Sequence, residues 1–211
     1  MMPRRTMLHR VIVMFASMWV VFASAAFAAD EAMIRNPKLE STDDGYQLSA
    51  DIDFQLTSSM KEAVSKGVPL YFVVEFEISK GRWYWFDQSL AKASRDRRVS
   101  YAPLTDQYKI SVSGVSQNVA TIDDVQRLLS RVRSWTVLQK GRLKPGEKYE
   151  AAIRFRLDNA QLPKPFQLDI LASKDWNLSS DWVRWTVVGE SEPQLQPQPQ
   201  PQPQRPAKAA P

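Results

Sequence analysis

The sequence predicts a mainly β protein, an antiparallel β-sandwich of immunoglobulin-like architecture with one or two short helices. Three observations predict it. Apolar and polar residues alternate with period two over Tyr46–Leu56, Leu70–Ile78, Tyr149–Leu157 and Trp182–Val188, the mark of strands that bury one face. Turn-forming residues punctuate the chain at short spacing, at Asp43-Asp44-Gly45, Lys80-Gly81 and Pro145-Gly146. Helical spacing is confined to two brief stretches, and many short strands with few helices make a sandwich.

Both ends fall outside this pattern. Arg4, Arg5 and Arg10 precede an apolar run, Val11 to Phe22, and Ala26-Phe27-Ala28 supplies an A-x-A site, so residues 1–28 are expected to be a secretory signal peptide. The apolar run of roughly 12 residues is short of the ~20 that a bilayer needs. Residues 189–211 are dominated by Gln-Pro repeats, a composition that buries nothing and favours an extended, disordered tail. Residues 29–188 are left as the β-sandwich domain, long enough for a proper core. The formal charge of +5 falls to +2 once Arg4, Arg5 and Arg10 leave with the signal, which weakens any case for nucleic acid or anionic lipid.

Within that domain, Met33–Leu39 is a short strand whose Pro37 suits an edge, because proline cannot donate to a ladder. After the turn at Asp43-Asp44-Gly45, Tyr46 to Leu56 is a half-buried strand. Ser58 or Ser59 caps a short helix through Ser65 that ends at Gly67. Leu70, Phe72, Val74, Phe76 and Ile78 then alternate with Tyr71, Val73, Glu75 and Glu77, so the first set faces the core. A two-residue hairpin at Lys80-Gly81 would place Ile78 opposite Trp83 and Phe76 opposite Trp85, both tryptophans inward, with Tyr84 and Phe86 on the outer face.

The polar, basic stretch Lys92 to Arg98 is expected to be a loop, followed by strand patterning at Val99–Tyr101 and Tyr108–Val112. Thr121 caps a helix from Ile122 to Arg133, with Ile122, Val125, Leu128, Leu129 and Val132 on one side and Asp123 and Asp124 in its first turn. Trp135–Leu138 is a brief strand, Lys144–Glu147 a turn, and Tyr149–Leu157 a strand. Phe166–Leu171 is a further strand beyond the stiff Leu162–Pro165 loop. In the last, Trp182–Val188, the residues Val183, Trp185 and Val187 form one face.

The chain has no cysteine, and its one histidine, His9, lies in the signal. The mature protein thus lacks a thiol nucleophile, a disulfide and an imidazole, which closes most hydrolase and zinc chemistry to it. Ser58-Ser59-Met60-Lys61 fits an S-x-x-K pattern but lacks the companion motifs, so a helix cap followed by a solvated lysine accounts for it. Asp51 with Asp53, and Glu75 with Glu77, are carboxylate pairs at alternate positions, as a solvated strand face also is. No metal-binding loop and no cofactor is expected. The basic residues Arg95, Arg97, Arg98, Arg127, Arg131, Arg133, Lys140, Arg142 and Lys144 read as a solvated surface, without the interleaved aromatics that nucleic acid needs. Tyr71, Tyr84, Phe86 and Trp182 land on outer faces, where either the Ile122–Arg133 helix covers them or they form an exposed binding surface.

Gly67-Val68-Pro69-Leu70, Trp83-Tyr84-Trp85, the helix from Thr121, Leu157-Asp158 before Leu162-Pro163, and the run Trp176 to Trp182 (WNLSSDW) together resemble the proteobacterial exported proteins grouped as domain of unknown function 4390, over nearly all of the mature domain. The resemblance implies export and a single β-rich domain with no established activity. Its implied gene neighbourhood offers an envelope sensor kinase as partner. From these readings the expected function is a non-catalytic, periplasmic interaction module. A carbohydrate-binding domain for cell-wall or exported glycans, using Tyr84, Phe86 and Trp182, is the alternative.

Overall fold

The computed structural model describes residues 32–81, 88–164, 166 and 173–189. Among them are nine strands and two α-helices: β1 (Met33–Thr42), β2 (Gly45–Asp53), α1 (Ser58–Ser65), β3 (Leu70–Lys80), β4 (Gln88–Ala102), β5 (Gln107–Val112), β6 (Val115–Val119), α2 (Ile122–Leu129), β7 (Arg131–Leu138), β8 (Lys148–Leu157) and β9 (Val183–Val188). The strands form two sheets with antiparallel pairing throughout, β1-β2-β7 and β6-β5-β4-β3-β8-β9. The protein is therefore mainly β, as expected. Its strands divide as three and six, where an immunoglobulin domain divides them as four and three. No helix among the described residues is long and apolar enough to cross a membrane.

One apolar cluster joins the inner faces of both sheets. Leu48, Ala50 and Ile52 of β2, the alternate residues Leu70 to Ile78 of β3, and Ala151, Ile153 and Phe155 of β8 are all almost fully buried. Phe72 and Phe155 stack with centroids 5.7 Å apart, and Phe54, just past β2, lies 5.0 Å from Phe155. Pro37 sits on an edge strand as expected, where the β1–β2 register shifts between Arg35 and Lys38. The β1–β2 turn requires glycine: Gly45 has φ +125°, and a Cβ there would meet the Leu138 carbonyl oxygen at 2.3 Å.

Five sequence expectations need correction. The two-residue hairpin at Lys80-Gly81 is absent, because Lys80 pairs with Gln88 and the partners of Ile78 and Phe76 are Ala91 and Ala93. Trp83, Tyr84, Trp85 and Phe86 lie outside the described residues. The Lys92–Arg98 loop is instead part of β4, the longest strand. Its inward positions are Ala91, Ala93, Arg95, Arg97 and Val99, opposite the buried face of β3, so small and cationic residues stand where apolar ones signal a strand.

The helix expected to run to Arg133 ends at Leu129, with Ser130 as its C-cap. The cause is a bulge in β7: Leu48 pairs with Trp135 and Ala50 with Val132, and Ser134 between them has φ 44°. Both Val132 and Trp135 therefore face inward three residues apart, which imitates helical spacing. Lastly, Thr57 caps α1, accepting from the Met60 N–H. Lys164 and Phe166 take helical backbone, so no strand begins at Phe166; residues 167–171 lie outside the described ones.

Candidate functional site

The outer face of the six-stranded sheet is the candidate site. Both helices lie on the core side, since Met60, Ala63 and Val64 of α1 and Val125 and Leu129 of α2 belong to the shared apolar cluster. α2 receives its C-terminal hydrogen bonds from Arg97, an inward residue of β4. Among the described residues, α2 packs with β5, β6 and β7 on the core side and so does not cover the outer-face Tyr71 or Trp182.

Strand pairing fixes what the outer face displays. Glu77 lies opposite Lys92, Glu75 opposite Ser94, Val73 opposite Asp96 and Tyr71 opposite Arg98 across β3–β4; Glu75 faces Arg154 and Val73 faces Arg156 across β3–β8. Glu75 anchors the centre. Its Oε2 accepts from Arg154 Nε at 2.8 Å and Nη2 at 2.5 Å, while Oε1 accepts from Arg156 Nε and Nη2 at 3.1 Å. Partial burial alone would raise the Glu75 pKa, but the two guanidinium groups outweigh it and hold the carboxyl below its ordinary value of 4.5. Asp158 is likewise held below 3.8, first by the Gln161 amide and, against some burial, by Arg156. Glu77 pairs with Lys92 at 2.7 Å and Glu150 with Arg184 at 3.4 Å.

Two of the four aromatics expected to form the binding surface are described. Tyr71 lies on the outer face with the Arg98 guanidinium 5.7 Å from its ring centre, and Trp182 has Arg154 at 4.8 Å. Tyr84 and Phe86 lie outside the described residues. At the Tyr71 end the face hollows into a cleft of about 370 Å³, lined by Tyr71, Ser94, Asp96 and Arg98, the β5–β6 turn (Ser113, Gly114) and Gln161 among others. Sequence reasoning missed this cleft, because Ser94, Asp96 and Arg98 share a face only once β4 is seen to be a strand.

The nine basic residues do not make one surface. Arg97 is buried and Arg95 turns inward over Trp135 at 4.9 Å, while Arg127 pairs with Asp124 and Arg133 with Asp51. In the S-x-x-K stretch, Ser59 donates to Asp175 Oδ2 at 2.7 Å, which ties α1 to the 3-10 turn Lys174–Trp176 beyond β8. No cluster of acidic residues that could hold a metal is found among the described residues.

Glu75 supplies a pH prediction. Its folded pKa is depressed, so its contribution is complete above pH 4.5 and is lost as the pH falls through the lower folded value. Glu75→Gln is expected to cost about 1–2 kcal/mol at pH 7, measured by urea unfolding. The deficit should shrink as the pH drops toward about 3; a deficit constant with pH would refute the assignment.

No curated protein and no solved structure matches this chain. Residues 29–186 match the family described as Domain of unknown function (DUF4390), and with three-quarters of its length so covered the chain belongs to that family.

Proposed function

We propose that this protein is a non-catalytic interaction module, exported to the periplasm, that docks on another envelope protein through the outer face of its six-stranded sheet. The observation that carries the reading is the charge-alternating outer face, on which Arg98 and Arg154 lie against Tyr71 and Trp182. Arginine with tyrosine or tryptophan is the combination that most often dominates binding energy at interfaces. Alternating charge also fixes register with a partner and repels wrong ones.

The chemistry of the face supports binding over turnover. Glu75 and Asp158 are held ionised by their partners, which unsuits them as proton donors near neutral pH. The carbohydrate alternative has less support, since a guanidinium occupies one face of each described ring that a sugar would stack on.

The test is capture from envelope extract, with the resemblance-implied sensor kinase as the first partner to examine. Lys92→Glu with Arg184→Glu reverses two exposed cations on this face. Recovery of the partner is expected to fall by about 10-fold or more with an unchanged thermal midpoint. Equal recovery by wild type and variant, or no recovery with or without crosslinker, overturns the reading.

A further inference from the structure

The acidic residues at the centre of the outer face are paired. Glu75, Glu77, Glu150 and Asp158 each have a basic partner. Asp96 and Arg98 differ. They stand two residues apart on the outer face of β4, about 6.7 Å along the strand, and both line the 370 Å³ cleft. Neither side chain makes an ion pair or a hydrogen bond with any described residue, and the Arg98 guanidinium lies 5.7 Å from the centre of the Tyr71 ring. The cleft thus presents two unpaired groups of opposite charge, with hydroxyls among its other lining residues.

Ser94 lies on the same face of β4, and Ser111 faces Arg98 from β5, its hydroxyl 2.8 Å from that of Ser116. Gln161 donates its amide to Asp158 at 2.9 Å, which leaves its carbonyl oxygen as an acceptor. The cleft's size falls in the range of small-molecule sites.

We infer that this cleft binds a small zwitterion of the α-amino-acid type, the carboxylate on Arg98 and the ammonium on Asp96. A planar guanidinium held against an aromatic ring is preorganised for bidentate carboxylate contact. Asp96, the next outward position along β4, supplies the complementary anion in the same cleft. An anion alone would leave Asp96 as a repelling neighbour, which is why the zwitterion is favoured over phosphate or a lone carboxylate. The inference goes beyond the docking reading; the two share Arg98 and Tyr71, but the docking test changes Lys92 and Arg184, which lie outside the cleft lining.

The experiment is an amide-resolved NMR titration of the full mature chain with glycine, L-alanine and D-alanine, and with acetate and methylammonium as single-charge controls. Saturable shifts are expected at Ser94, Asp96, Arg98, Ser111 and Gly114, with a Kd of about 1 mM or tighter. Acetate and methylammonium should bind about 10-fold more weakly or not at all, and Asp96→Asn and Arg98→Gln should each weaken the zwitterion about 10-fold. Both residues are exposed, so an unchanged thermal midpoint accompanies each variant. No shift at about 10 mM zwitterion, or acetate binding as well as alanine with Asp96→Asn neutral, overturns the inference. A silent titration alongside intact partner capture removes the cleft assignment alone, and a saturating titration without capture removes the docking reading alone.

Discussion

Phe155→Ala is expected to destabilise the domain by about 3–5 kcal/mol, the cost of deleting a buried aromatic ring and leaving a cavity behind. Phe155 has no exposed surface and stacks on Phe72 of the neighbouring strand at an interplanar angle of 4°. It also meets Phe54, which follows β2 of the other sheet, at 5.0 Å, so the ring bridges the two sheets directly. Its backbone adds to the effect: the Phe155 N–H donates to Ser180 Oγ at 2.9 Å and its carbonyl accepts from the Ser180 N–H at 2.8 Å. A disturbed β8 therefore loosens the Trp176–Ser180 segment, where Trp176, Leu178 and Ser180 are buried. For a chain of this size such a loss lowers the thermal midpoint by roughly 10 °C. Val115→Ala, at a residue 75% exposed on β6, serves as control and should change stability by no more than about 0.5 kcal/mol. If the two variants unfold at the same urea concentration, the aromatic trio is not where the sheets are joined.

The sheets were legible where burial is written in apolar side chains. β2, β3, β8 and β9 each alternate Leu, Ile, Val, Phe or Trp with polar residues, and a period of two leaves little choice of structure or face. β4 was illegible for the opposite reason. Its inward face runs Ala91, Ala93, Arg95, Arg97, and the reason for arginine there lies in other elements: Trp135 of β7 takes Arg95, and the end of α2 takes Arg97. That information is non-local, so no pattern within β4 contains it. The same error carried into the hairpin, because the aromatics Trp83 to Phe86 offered a more strand-like text than the true partner of β3. The bulge at Ser134 hid the start of β7 by a different route, turning a strand's spacing of two into a helix-like three.

The candidate site was legible in part. Tyr71 and Trp182 were placed on outer faces by alternation alone, and they are found there, each beneath an arginine. What alternation could not supply was those arginines, since Arg98 arrives from the unrecognised β4 and Arg154 from β8. The cleft draws on β3, β4, the β5–β6 turn and the 3-10 turn at Asn159–Gln161, so only strand order brings it together.

Arg97 provides the second large effect. Its side chain is 3% exposed, with no carboxylate partner, and burial pushes its pKa down to about 10. The charge is tolerated because it is satisfied by carbonyls: Nη1 donates at 2.6 Å to that of Leu129, which the end of α2 leaves without an intrahelical donor, and Nη2 at 2.9 Å to that of Arg131, the first residue of β7. The guanidinium also sits at the negative end of the helix dipole. One side chain of the six-stranded sheet thereby fastens the α2–β7 junction, where Ser130 in turn accepts from Ile52 of β2 at 2.8 Å. Arg97→Met keeps the bulk and removes the donors, and is expected to cost about 3 kcal/mol, because a buried and a part-buried carbonyl lose this partner together. Arg97→Lys keeps the charge but not the fork, and is expected to cost about half as much. Hydrogen exchange separates this from a general loosening: amides of Val125 to Ser130 should exchange faster in Arg97→Met by a larger factor than those of β3. Equal acceleration in α2 and β3, or a midpoint within about 0.5 kcal/mol of wild type, would mean that the helix end is held by its packing and not by the arginine.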